Sequence, residues 1–176
     1  MFKGFGVAPI ATALVGLGVV VFASHVRAGG DKVAFPEGFD KGVLYTTVDR
    51  ADNKQYRELY TSQAAVDAAK KGQPMPDGTV VTLVQYKAKL GADGNPEKDA
   101  NGRFIKTDIL AYTVMEKRKG WGTEYPDNIR NGEWEYQAFT PAKAANANAK
   151  LNTCFECHLP KKSDDYVFLY GKMAGK

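Results

Sequence analysis

The sequence predicts an α+β domain, mainly an antiparallel β-sheet of about five strands with short helices, on three observations. Five stretches rich in β-branched and aromatic residues alternate apolar with polar side chains, the period of a half-buried strand. Only two stretches have helix-forming composition, and both are short. The order is strands, one helix, strands, then a helix running into a C-terminal Cys-x-x-Cys-His, which suits an antiparallel sheet with helices set to one side.

The elements follow in chain order. Gly42 to Asp49 (GVLYTTVD) and Gln55 to Thr61 (QYRELYT) read as the first two strands. Ser62 is placed to cap an alanine-rich helix over Gln63–Lys71, with Gly72 ending it. Between Thr79 and Leu90, Val80, Val84, Tyr86 and Leu90 alternate with more polar neighbours, and Thr107 to Lys117 repeats the pattern, giving the two longest strands. The intervening GADGNPEKDANG has the composition of a long hairpin loop. Glu133 to Phe139 (EWEYQAF) is the fifth strand, with Trp134, Tyr136 and Ala138 on one face and Glu135 on the other, where meeting solvent is the favoured reading and reaching the pocket as a proton acceptor the alternative. Pro141 to Leu151 (PAKAANANAKL) reads as a helix, with proline in its first turn. Asp164 to Met173 is compatible with either a helix or an extended segment packing Tyr166, Phe168 and Tyr170.

At the N-terminus, Lys3 precedes an apolar run from Val7 to Ala23, and Val26-Arg27-Ala28 suits signal cleavage. Residues 1–28 are therefore expected to be an export signal and 29–176 a single domain in the periplasm; an uncleaved membrane anchor is the alternative. About 148 residues suffice for a real core without disulfides. The domain's net charge, about +2, gives no compositional case for nucleic-acid binding.

After the signal, two cysteines and one histidine remain, all within Cys154-Phe155-Glu156-Cys157-His158. A C-x-x-C-H is the attachment motif of c-type haem. The thiols reach the two haem vinyl groups as thioethers, and the adjacent imidazole ligates the iron. A structural zinc site wants about four nitrogen or sulfur ligands and finds three here. A thioredoxin-like pair wants a βαβ context, and a plain disulfide leaves His158 unused. One covalent haem c is thus the expected cofactor, with His158 as metal ligand. With no second histidine, the other axial position falls to methionine (Met75, Met115 or Met173), lysine, an exogenous molecule, or nothing. A His/Met pair would make an electron carrier, although such carriers usually place the motif early in a helical chain.

In order, FPEGF, YRELY with its alanine-rich helix, PDGTVV, GEWEYQAF, and CFECH followed by DDYVF make the chain resemble the cytochrome P-460 family, which includes the cytochromes c′-beta. The resemblance implies a homodimeric, mainly antiparallel β protein whose haem has histidine on one side and an open or apolar distal side. Some members oxidise hydroxylamine or nitric oxide, while the c′-beta type binds nitric oxide and carbon monoxide. The hydroxylamine-oxidising members carry a lysine bonded to the porphyrin on the strand after D-G-T. Here that position is Leu83, and Lys87 lies about 13 Å along the strand, with Lys89 farther on. The resemblance therefore implies a distal wall made apolar by Leu83. It also puts Arg57 near the pocket, where a guanidinium can pair a haem propionate or a bound ligand. Trp134, Tyr136 and Phe139 are candidates to pack on the macrocycle.

The leading functional expectation is a periplasmic haem protein binding nitric oxide or a similar small ligand, with some capacity to handle electrons. An oxidoreductase acting on hydroxylamine or nitric oxide, and a His/Met electron carrier, are the alternatives. Lys117-Arg118-Lys119 and Lys161-Lys162 are read as solvated charge that at most assists docking to an acidic redox partner.

Overall fold

The computed structural model describes Met1 and residues 32–176. The expected export signal lies outside the described residues apart from Met1, and among those described no helix is long and apolar enough to cross a membrane.

A five-stranded antiparallel sheet forms the body of the protein. Its strands are β1 (Val43–Arg50), β2 (Gln55–Thr61), β3 (Val80–Ala88), β4 (Lys106–Lys117) and β5 (Trp134–Phe139), and their spatial order equals their chain order. Helix α1 (Gln63–Lys70) joins β2 to β3. Its N-terminus is capped as the sequence predicts, with the Ser62 hydroxyl accepting from Ala65 N at 3.2 Å. The β3–β4 connection is more ordered than its loop composition suggests, because the bridges Leu90↔Pro96 and Lys98↔Phe104 fold it back on itself.

Alternation along the strands divides the core in two. Val81, Met115, Trp134 and Tyr136 point to one face and pack with Ala65 and Ala69 of α1, Met75, Phe155 and Met173. Val84, Tyr112, Val114 and Phe139 point to the other, where Val33, Phe35 and Phe39 of the entry segment cover them. Phe35 meets Tyr112 and Phe139 edge-on with centroids 5.0 and 5.3 Å apart, a favourable aromatic geometry.

Two expectations need correction. The stretch Pro141–Leu151 is not a helix. Thr140 N donates to Ala144 O and Asn146 N to Ala138 O, Phe139 bridges Ala145, and Lys143 adopts φ 64°, so the chain hooks back along β5. The Asn146 side chain then accepts from Asn148 N at 3.0 Å, the local competition that makes asparagine a poor helix former. The helix begins one residue after that stretch, as α2 (Asn152–His158), followed by a 3-10 turn (Leu159–Asp164) and the short α3 (Tyr170–Met173).

Glu135 is the second correction. It leaves the Trp134 face as expected, yet it is fully buried, accepting from Tyr125 Oη at 2.9 Å and from Lys32 Nζ at 3.2 Å. Lys32 also pairs Glu124. Burial pushes the Glu135 carboxyl above its ordinary range, and the Tyr125 and Lys32 contacts pull it partly back. A carboxyl raised in the folded state binds more protons folded than unfolded, so its contribution to stability falls as pH rises from about 4.3 through the raised value. Glu135→Gln should therefore lose this fall, so that in thermal melts its stability relative to the parent is higher at pH 7 than at pH 4. In the same assay Trp134→Ala should cost about 3–5 kcal/mol, whereas the exposed Leu90→Ala should stay within about 0.5 kcal/mol.

Candidate functional site

The site forms where α2 and the C-terminal segment close over the α1-side face of the sheet. In α2 the residues at i, i+3 and i+4 share one side, which brings Cys154, Cys157 and His158 together. Phe155 projects into the core and is fully buried between Tyr125 and Tyr136, with centroids 5.1 and 4.7 Å away. This anchor fixes the rotation of the helix and so the side on which the thiols emerge. Neither cysteine is in a disulfide: Cys154 is half-buried, its thiol pushed up to about 11 by burial and by Cys157, while Cys157 is exposed.

The geometry of His158 selects one tautomer. Its Nδ1 lies 2.7 Å from the Tyr166 carbonyl oxygen, which can only accept, so Nδ1 carries the proton and Nε2 presents its lone pair. Burial lowers the imidazole's proton affinity, partly offset by that hydrogen bond, and favours the neutral ring. A neutral imidazole with Nδ1–H tied to a carbonyl is the form in which histidine ligates a metal. Tyr136 and Phe168 flank the ring, each with its centroid 4.9 Å away.

His158 and Cys157 line a largely apolar cavity of about 410 Å³, within the usual range for a small-molecule or cofactor site. Two cross-strand rows build its sheet wall, Leu59–Leu83–Thr113 and Val81–Met115–Tyr136. Val167, Phe168 and Leu169 bound it from the C-terminal segment, and Tyr45, Val48, Arg50 and Arg57 from β1 and β2. Arg50 is engaged by Asp52 through two hydrogen bonds of 2.8 and 2.6 Å. Arg57 instead donates through Nε and Nη2 to Gln55 Oε1, at 3.0 and 2.8 Å, and no carboxylate pairs with it among the described residues. Burial and the neighbouring Arg50 charge hold its guanidinium below its ordinary pKa. The cavity therefore carries cationic charge that is oriented but not neutralised by a direct partner.

Of the residues expected from the sequence, Cys157, His158, Leu83, Arg57 and Tyr136 line this cavity, and Cys154 lies on the same turn of α2 as Cys157. Trp134 and Phe139 do not line it. Trp134 is fully buried on the same face, in the core beside the cavity, and Phe139 occupies the opposite face because odd and even positions of β5 point in opposite directions. Of the methionines, Met115 lines the cavity, while Met75 and Met173 are core residues away from it. Lys87 and Lys89 do not line it; they are exposed and pair Asp108 at 3.7 Å and Glu97 at 2.6 Å.

Sequence reading missed Asn131. It is fully buried and its Nδ2 donates to Tyr136 Oη at 2.9 Å and to Phe155 O at 3.1 Å, tying the β4–β5 connection to α2. A lone asparagine in a glycine-containing turn gave no signal of this, because one bond goes to a backbone carbonyl 24 residues away.

Two neighbouring cysteines outside any disulfide, an imidazole with a directed lone pair and an apolar cleft bearing one arginine, Arg57, without a carboxylate partner fit a haem, whose ring is apolar and whose propionates are anionic. Fold and site together define a haem-binding sheet protein. A family model, Cytochrome P460, matches residues 36–169. That is most of the chain, and the chain belongs to the cytochrome P460 family. No curated protein matches it.

Proposed function

We propose that the protein is an exported, periplasmic mono-haem cytochrome of the c type that binds nitric oxide or a similar small ligand, and that it acts as a homodimer. Cys154 and Cys157 carry the haem as thioethers, and His158 is its protein ligand. The observation that carries this reading is the His158 tautomer: Nδ1 is committed to Tyr166 O, leaving Nε2 for iron. When bound, the haem supplies an iron that takes a diatomic ligand or passes one electron.

The chain's own residues bind, orient and exclude. Leu59, Leu83, Val81 and Met115 give the middle of the sheet wall no ionisable group; the hydroxyls on the lining belong to Tyr45, to Thr113, which accepts from Gln85 Nε2 at 2.9 Å, and to Tyr136, which accepts from Asn131 Nδ2. Arg57, held by Gln55, supplies a fixed positive charge for a propionate. Oxidation of hydroxylamine removes several protons, so this lining favours ligand binding over that turnover. Leu83 in place of a lysine, with Lys87 and Lys89 turned outward, supports the absence of a lysine bond to the porphyrin. Met115 favours a second reading, a His/Met electron carrier, because its thioether lines the same cavity.

Denaturing electrophoresis with haem staining tests the attachment. Colour should stay with the polypeptide, and it should persist in His158→Ala, whose iron should nonetheless lose its strong axial ligand; loss of all colour from the parent protein on denaturation would contradict the assignment. Stopped-flow mixing with carbon monoxide tests the wall: Leu83→Ala should speed ligand entry several-fold. Turnover with hydroxylamine should be negligible in the parent protein, and catalytic oxidation would transfer the assignment to the oxidoreductase reading.

A further inference from the structure

The backbone between Asp165 and Leu169 is unusual. Three residues that carry a Cβ adopt left-handed conformations, with φ 51° at Asp165, 61° at Tyr166 and 60° at Leu169. Such conformations are costly, especially for bulky side chains, and persist where the surroundings hold them. This segment also does two things to His158. Tyr166 O accepts the Nδ1 proton, and the Phe168 ring stands edge-on to the imidazole at 87°.

Four contacts hold the segment. Lys117 Nζ, at the end of β4, pairs Asp165 Oδ2 at 2.8 Å, with both side chains largely shielded from solvent at 12% and 17% exposure. The same carboxylate oxygen accepts from Met75 N at 2.8 Å. Tyr166 N donates to Lys161 O, and Tyr170 Oη to Gln73 O, each at 2.7 Å. Lys117 is itself placed over the Trp134 ring at 5.9 Å. Asp165 therefore joins β4, the α1–β3 connection and the C-terminal segment at one point, immediately before the carbonyl that fixes His158.

We propose that Lys117 and Asp165 are positioning residues for the haem-ligating histidine. Their shielded ion pair holds Tyr166 in its left-handed conformation, aims its carbonyl at Nδ1, and thereby sets how strongly His158 donates to iron. The inference rests on the reading of His158 as iron ligand. An Nδ1–H donated to a carbonyl raises the basicity of the imidazole. Loosening the clamp weakens that bond, weakens donation to iron and destabilises the oxidised state relative to the reduced one.

The test uses the full-length haem-loaded protein and reads the iron–histidine stretch of the ferrous form by resonance Raman, together with the midpoint potential. Lys117→Met keeps an unbranched stem to lie over Trp134, and Asp165→Asn is nearly isosteric. Both should retain covalent haem while shifting the stretch to lower frequency and the potential upward, and Lys117→Arg should restore both towards the parent values. A purely structural role for the pair would change stability and leave stretch and potential where they were, and that result would overturn the proposal. If Lys117→Met fails to fold, Asp165→Asn alone decides on the same two readings. Absence of an iron–histidine stretch from a five-coordinate ferrous parent protein would overturn the ligation reading itself, whereas a parent stretch that neither substitution moves overturns only the clamp.

Discussion

The 2.7 Å hydrogen bond between His158 Nδ1 and the Tyr166 carbonyl is the contact on which the site depends. It decides the tautomer of the domain's one histidine and turns Nε2 into the ring's free donor. Everything around it holds one of its two ends. On the histidine side, Phe155 locks α2 into the aromatic core and Asn131 grips the Phe155 carbonyl. On the carbonyl side, the left-handed turn at Asp165 and Tyr166 is held by shielded polar contacts rather than by regular secondary structure.

The sheet supplies the second half of the account. Because side chains alternate, one face can be shared between the α1-side core and a cavity while the other is closed by the entry segment through Val33, Phe35 and Phe39. Cross-strand neighbours then make continuous apolar rows, so that Leu83 sits between Leu59 and Thr113 and cannot be changed without altering the middle of the wall. The few charges near the cavity are on β1 and β2. This separation gives a ring-shaped cofactor an apolar bed and its carboxylates a cationic edge.

Much of this was legible in the sequence, and what was not has physical causes. The strands showed because burial on one face writes a period of two into the chain, and CFECH showed because Cys-x-x-Cys-His is a motif of fixed spacing. Pro141–Leu151 misled because alanine content suggests a helix, while Asn146 and the pairing with β5 decide otherwise. Glu135 misled because alternation tells which face a residue takes, not whether that face is covered; Lys32, more than one hundred residues earlier, covers it. Phe139 was misplaced against the very alternation that placed Trp134. Asn131, Lys117 and Asp165 were invisible as site residues because their partners are distant in sequence or are backbone atoms.

The central claim is that one histidine holds the iron and the other axial side stays available within an apolar wall. The absorption spectrum of the purified ferrous protein, before and after nitric oxide, tests it most directly. The account predicts a five-coordinate, high-spin spectrum that converts on adding nitric oxide. A six-coordinate, low-spin spectrum that nitric oxide leaves unchanged would contradict it and point instead to Met115 on the iron.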